Sequence, residues 1–383
     1  MTPSIYLDHA ATTPLQPAVF EAMLPYLNGH FGNPSSIHAY GRAARKALND
    51  ARDLIANELG CQPGQLVFTS GGTESDNLAL FGVSNAYGKD KKHLITTQVE
   101  HHAVLNACRR LEELGYEVTY LPVDGSGVVS LTELEAAVRP ETFLISVMYG
   151  NNEVGTIQPI SEIGRFARKQ GILFHVDAVQ ALGSEEIDLS DLPVDLMTFS
   201  AHKINGPKGV GALYVSPHVR LSPVLFGGNQ ERKRRAGTEN VAGIVGFSKA
   251  VQFAKENLSE KRQQMERLRQ RFLLTLQSCL NPESGFIVNG NSDRRLPHIL
   301  NVSFPGTDTE TLLMNFDLEG IAASSGSACT SGSFELSHVL EAMNLSPEIA
   351  HSAVRFSFGW GNTEEEIHRA AEIAATIVNR LRK

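Results

Sequence analysis

Short apolar runs alternate with amphipathic stretches through the first two-thirds of the chain. LVFTS (66–70), HLITT (93–97), EVTYL, TFLISVM, ILFHVD (172–177), VDLMTFS (194–200) and GVGALYV (209–215) have the length and composition of strands. Between them, TESDNLALFGVSNA, HHAVLNACRRLEELG, LTELEAAV and ISEIGRFARKQG read as helices, and Gly115 is placed to cap the second. Strands separated by helices of this length predict βαβ units and a mostly parallel sheet. From Asn240 to about Leu280 the chain reads as one long, charge-laced helix that ends a first domain and bridges to a second. The remainder, with ILNVSF (299–304), GIAAS (320–324) and VRFSFG (354–359), predicts a smaller α+β unit. TEEEIHRAAEIAATIVNRLRK closes it as an amphipathic helix, acidic early and basic late as the helix dipole favours.

Composition narrows the class. With 383 residues, 42% hydrophobic and 20% charged, the chain can bury a large core in two domains. Thirty-four basic against 42 acidic residues give a net charge of −8, which argues against non-specific nucleic-acid binding. No apolar run reaches membrane-spanning length, and the Met-Thr-Pro start lacks the features of a signal peptide. Cys61, Cys108, Cys279 and Cys329 form no C-x-x-C pair, so a zinc site or disulfide framework is not expected and a reducing, cytoplasmic location is.

The candidate chemistry lies at the carboxyl ends of the predicted strands, where open α/β sheets gather functional residues. LVFTS runs into SGGTES, where Gly71, Gly72 and Thr73 open a helix. That turn is either an anion cradle or an ordinary glycine-rich connection. ILFHVD ends in Asp177, a carboxylate that is expensive at a strand end without a cationic partner. VDLMTFS ends in SAHK, so Lys203 is a candidate Schiff-base amine if desolvated, or a snorkelling surface lysine if not. Lys208 competes with it from the GPKG turn. His101 and His102 follow a further strand; no third ligand stands at metal spacing, and one of the rings can stack on a planar cofactor. In SSGSACTSGS (324–333) a single Cys329 sits among residues with almost nothing to pack. A reactive thiol on a mobile loop, a flexible linker and a small buried hydrophobe are the alternatives. A phosphate cradle, a strand-end Asp, a strand-end Lys and a stackable His together are what pyridoxal 5′-phosphate needs.

YLDHAATTP (6–14), FGNPSS (31–36), FTSGGTESDN (68–77), NNEVGTIQPI (151–160), HVDAVQ (175–180), SAHKINGPKGVGALYV (200–215), RRAGTEN (234–240), SSGSACTS (324–331) and VRFSFG (354–359) closely resemble the cysteine desulfurases of the NifS/IscS-like group. The resemblance runs nearly end to end. It implies an α/β protein of PLP fold-type I, aspartate aminotransferase-like, that forms a homodimer. A large domain (13–257) would hold a mostly parallel seven-stranded sheet, and a smaller α+β domain (1–12 and 258–383) would carry the cysteine loop. It implies that Lys203 carries the cofactor, Asp177 pairs with the ring nitrogen, Gln180 touches the ring hydroxyl, and His101 stacks on the ring. Gly72, Thr73, Ser200 and His202 would bind the phosphate, with Thr238 reaching the phosphate of the partner subunit. Asn152 and Arg355 would hold the substrate carboxylate, and Asn33 would be a further pocket residue. Cys329 would take sulfur from L-cysteine as a persulfide and release L-alanine, then pass the sulfur to an acceptor protein, a tRNA-thiolating enzyme or an iron–sulfur scaffold. No metal is implied. The chain stops at RLRK, short of the tail by which scaffold-feeding relatives dock, which turns the expectation toward other acceptors. The rivals are an aminotransferase, which has no use for Cys329, a selenocysteine lyase, and a non-catalytic sulfur carrier or scaffold. The other three cysteines are expected to be structural.

Overall fold

The computed structural model describes residues 5–88, 91–280, 285–326 and 336–382. The strands are β1 (Ile5–Tyr6), β2 (Leu66–Thr69), β3 (His93–Thr97), β4 (Glu117–Leu121), β5 (Thr142–Ser146), β6 (Leu173–Asp177), β7 (Leu196–Ser200), β8 (Gly211–Val215), β9 (Ile287–Asn289), β10 (Ile299–Ser303), β11 (Ile321–Ala322) and β12 (Ala353–Ser357). The helices are α1 (Pro17–Asn28), α2 (Ala39–Glu58), α3 (Gly72–Tyr87), α4 (His102–Glu113), α5 (Leu131–Ala137), α6 (Ile160–Gln170), α7 (Val241–Glu256), α8 (Leu258–Cys279), α9 (Thr309–Leu318), α10 (His338–Ala342), α11 (Pro347–Ala350) and α12 (Glu364–Leu381).

Seven strands form the main sheet in the order β2-β8-β7-β6-β5-β3-β4. All its pairings are parallel except the two made by β8. The apolar runs are uninterrupted because both faces are covered. Leu48, Ile55, Phe174, Phe199 and Phe247 belong to the core on one side, and Leu78, Val83, Val104 and Leu213 to a second cluster. β8 is antiparallel to both β2 and β7, so those two strands run the same way and their ends at Thr69 and Ser200 meet opposite Gly211. A Cβ on Gly211 would lie 2.8 Å from Gly71 Cα, so only glycine lets the turn after β2 close down there.

A third cluster brings the two ends of the chain together. Ile5 and Leu7 pack with Phe272 of α8, Phe316 of α9, Phe356 and Phe358 beside β12, and Ile367 of α12. β10 sits between β9 and β12 in an antiparallel sheet. The N-terminal strand is parallel to β11, and beyond it Asp8 bridges to Ser357. The expected single helix over 240–280 is two helices. Asn257 leaves helical geometry at φ −110°, ψ 13°, and its side-chain amide donates to the Phe253 carbonyl at 2.8 Å. The last helix starts with a reciprocal cap between Thr363 and Glu366. No helix among the described residues is long and apolar enough to cross a membrane.

Phe356 is fully buried, 4.6 Å from the Phe272 ring centroid and 5.8 Å from that of Phe316. Replacing it with Ala should cost about 3–5 kcal/mol in chemical denaturation. A loss below about 1 kcal/mol would mean that this aromatic cluster does not hold the chain's two ends together.

Candidate active site

The turn between β2 and α3 is built to accept an anion. Gly71 caps the helix at φ +150°, a conformation that suits glycine. A Cβ on Gly72 would lie 2.8 Å from Val179 Cγ2, so the helix starts in close contact with the turn after β6. The first-turn N–H groups of α3 open toward this place. Ser200, at the end of β7, is buried, and its Oγ has no partner among the described residues. An orphaned hydroxyl beside an open helix N-terminus is a cradle waiting for an acceptor.

These groups line one cleft of about 400 Å³. Gly72, Thr73, His101, Asn152, Asp177, Gln180, Ser200, His202, Lys203 and Arg355, all expected from the sequence, face it together. Lys203 Nζ donates to the carbonyls of Ala10 and Ala11, whereas Lys208 is exposed on its turn. Gln180 donates to the Ala10 carbonyl at 2.8 Å, which fixes its amide. His101 caps α4, its Nδ1 accepting from the Ala103 N–H at 3.1 Å. That bond assigns the proton of the neutral ring to Nε2. Burial, and then the charge of Lys203, push the His101 pKa down to about 4, so the ring is neutral at physiological pH. His102, one residue on, turns away and lies against the His338 ring at 4.7 Å between centroids.

Arg355 lies on β12, 3% exposed. Nη1 donates to the Asn152 carbonyl at 2.8 Å, and Nη2 to Asp8 Oδ1 at 2.8 Å. Nε is buried and has no partner among the described residues, so the guanidinium keeps a donor in hand for a carboxylate.

Buried carboxyls crowd the back of the cleft. Asp177 accepts from the Val179 N–H at 2.9 Å; burial raises its pKa to about 6, against the opposing charge of Lys203. Asp76 on α3 is 1% exposed and raised well above the usual range by burial and by Asp177. Its nearest basic group is His175 Nε2 at 3.6 Å, and that ring also meets Ser146 Oγ and Thr198 Oγ1. Burial drives His175 down to about 3, so it offers Asp76 no charge. Glu100 accepts from Thr97 Oγ1 and the Met148 N–H through Oε1, while Oε2 is unpartnered among the described residues. Burial raises it from 4.5 to about 8.

Two expected residues lie elsewhere. Asn33 and Thr238 are exposed and do not line the cleft. Cys329 lies outside the described residues. Cys108 is buried and its thiol is pushed up by burial; Cys61 is raised to about 12 for the same reason. The sequence reading missed Asp76 and Glu100. Asp76 had a signal, since it stands four residues after Gly72 and so on the same helix face.

The class-V aminotransferase family model matches residues 5–370. A cysteine desulfurase IscS of Dictyoglomus turgidum is 46% identical, covering 100% of this chain and 96% of its own. One from Methanosarcina thermophila is 48% identical over 99% of this chain and 93% of its own. Among solved structures, a NifS-like protein matches with a TM-score of 0.92 at 40% identity, over 98% of this chain and all of that one. SspA in complex with cysteine matches with a TM-score of 0.80 at 38% identity, over 92% of this chain and 98% of its own.

A raised carboxyl pKa means that the folded state holds the proton more tightly than the unfolded state. For Glu100 that stabilisation is complete below pH 4.5 and is lost as pH rises through about 8. Glu100→Gln should therefore match the parent near pH 5 and exceed it near pH 9 by about 1–3 kcal/mol in urea titrations of the cofactor-free protein. Parallel pH profiles for the two proteins would exclude a bound proton on Glu100.

Proposed function

The chain belongs to the class-V aminotransferase family, and from that premise we propose that it is a cysteine desulfurase that uses pyridoxal 5′-phosphate. The observation that carries the reading is the unpartnered Ser200 hydroxyl beside the open end of α3, in the same cleft as Asp177, His101 and Lys203. This suits a planar cofactor with a phosphate at one end. Gly72, Thr73, Ser200 and His202 would hold the phosphate, Asp177 the ring nitrogen, Gln180 the ring hydroxyl, His101 and Asn152 the ring, and Lys203 the aldehyde carbon. When bound, the cofactor supplies an electron sink beside the substrate α-carbon.

The chain's own groups do the rest. Arg355 and Asn152 hold the carboxylate of L-cysteine, and the buried Nε–H of Arg355 gains the partner it lacks. Lys203 Nζ takes the α-proton. Cys329 Sγ, as a thiolate, attacks the substrate sulfur. An S–S bond forms and the C–S bond breaks. Its electron pair stays with the β-carbon, which is protonated; Lys203 returns the α-proton, and L-alanine leaves. Neutral His101, with its proton on Nε2, is the donor available on that face. Cys329 keeps a persulfide, whose outer sulfur passes to a thiol of an acceptor protein. Thr238 and Asn33 belong to segments that also expose Phe226 (82%) and Phe31 (74%). We read that surface as covered by a second copy of the chain, with Thr238 reaching the partner's phosphate.

Given L-cysteine without a reducing thiol, purified holoenzyme should release stoichiometric L-alanine, becoming catalytic with dithiothreitol. Cys329→Ser should keep the visible absorbance and lose the alanine burst, whereas Lys203→Ala should lose the absorbance. A coloured protein that releases no alanine would overturn the substrate, and transamination and selenocysteine cleavage would be assayed next. A protein that binds no cofactor would overturn the whole reading in favour of a carrier or scaffold.

A further inference from the structure

Glu153 is 2% exposed, at the turn that follows β5, and it plays no part in the chemistry described above. Its backbone is held from several sides. Asn151 Oδ1 accepts from the Glu153 and Val154 N–H groups at 2.9 and 3.0 Å. The Asn151 amide in turn donates to the Val99 carbonyl at 3.0 Å, and Asn301 donates to the Glu153 carbonyl at 3.3 Å. The carboxylate is therefore a fixed post rather than a flexible surface group.

Two distant stretches of chain meet on this post. Ser337 Oγ donates to Glu153 Oε2 at 2.5 Å and also accepts from the Leu340 N–H at 3.3 Å, so one hydroxyl ties the start of α10 to the carboxylate. From the other side, Gly326 packs so closely that a Cβ there would lie 2.9 Å from the same Oε2. Gly326 has φ +87°, which also favours glycine. Its N–H donates to Ser324 Oγ at 3.2 Å, and Ser324 pairs through its backbone with Arg355 at 2.6 and 3.1 Å. Gly326 and Ser337 flank the segment that carries Cys329. One end is thus hydrogen-bonded to, and the other packed against, one buried side chain next in sequence to Asn152, whose carbonyl holds Arg355.

We infer that Glu153 is a positioning residue for sulfur transfer: it ties one end of the Cys329 segment by a hydrogen bond and packs against the other, at a fixed place relative to the arginine that holds the substrate. The inference rests on the desulfurase reading for its consequence, not for its geometry. A thiol on a segment anchored at both ends returns to the same small volume, so its effective concentration at the substrate sulfur stays high. Releasing either anchor widens that volume without touching the cofactor or Arg355's contact with Asn152.

The test uses holoenzyme carrying Glu153→Ala, Glu153→Gln, Ser337→Ala and the Glu153→Ala/Ser337→Ala pair. Single-turnover persulfide formation at saturating L-cysteine should fall about 10–100-fold in Glu153→Ala. Glu153→Gln, which keeps an acceptor for Ser337, should recover most of that rate. The double variant should be no slower than Glu153→Ala alone, because both remove one tie. L-Cysteine binding, read from the absorbance change in a Cys329→Ser background, should move less than about threefold. A second arm needs no activity: iodoacetamide should alkylate Cys329 of the substrate-free holoenzyme about 3–10-fold faster in Glu153→Ala and Ser337→Ala. An unchanged alkylation rate overturns the inference. So does a persulfide rate that falls only in step with cofactor content or L-cysteine binding, since that is the mark of a merely structural residue. A parent protein that forms no persulfide overturns the desulfurase reading instead, and alkylation still decides the tie.

Discussion

The guanidinium of Arg355 is where separated parts of the chain are forced to meet. A charge this deeply buried is costly unless its donors are used. The chain uses them with an acid from the N-terminal stretch, Asp8, and a carbonyl from the turn after β5, Asn152. The backbone of the same residue pairs with Ser324 on one side and with Asn301 of β10 on the other. Residues 8, 152, 301 and 324 are thereby held to one point on β12. Losing one partner would strand a buried donor, so the arrangement resists partial opening. The same arithmetic leaves Nε without a partner among the described residues, a donor that a bound carboxylate would use.

Around this cation the electrostatics run the other way. Asp76, Glu100 and Asp177 are each buried to within a few per cent, and each is raised by desolvation. None of the three can ionise without adding to the penalty on the others. Asp177 is raised less than Glu100: both accept a backbone N–H, but only Asp177 feels the charge of Lys203. It is also the one at a strand end that faces the cleft. A protonated ring nitrogen set against it would restore the charge balance from the ligand side, so the carboxylate and the ring would hold each other in their charged forms.

Much of this was legible in the sequence, for physical reasons. Strand-length runs bounded by helical stretches were readable, so HLITT and EVTYL coincide with β3 and β4 residue for residue, although β4, at the sheet edge, is only partly buried. The chemistry stood out because Asp177 and Lys203 break such runs at their ends, where an unpaired charge needs a reason. Asp76 did not stand out: in TESDN it looks like part of a solvated helix start, and only the packing of α3 against the sheet shows that it is buried. The break at Asn257 was readable as Asn-Leu-Ser-Glu, a helix-start pattern, but the charge pattern runs on across it and conceals the seam. Glu153 was invisible because its role depends on Gly326 and Ser337, more than 170 residues away in the chain.

The site must satisfy two demands that oppose each other. Groups that would hold substrate and cofactor have to be still, and Gln180 and Arg355 are fixed by bonds of 2.8 Å to Ala10, Asn152 and Asp8. A thiol that takes a sulfur atom and delivers it elsewhere cannot be built into that core, because burial would raise its pKa and block its exit, as burial does raise the thiols of Cys61 and Cys108. In SSGSACTSGS the sequence sets no large apolar side chain beside Cys329, so precision has to come from elsewhere. The anchors at its two ends supply part of that precision: Ser337 hydrogen-bonds to Glu153, and Gly326 packs against the same side chain while its N–H donates to Ser324. Hydrogen bonds such as Ser337 to Glu153 are directional and short-ranged. They specify where the segment begins and ends while adding no apolar surface that would draw the cysteine itself into the core.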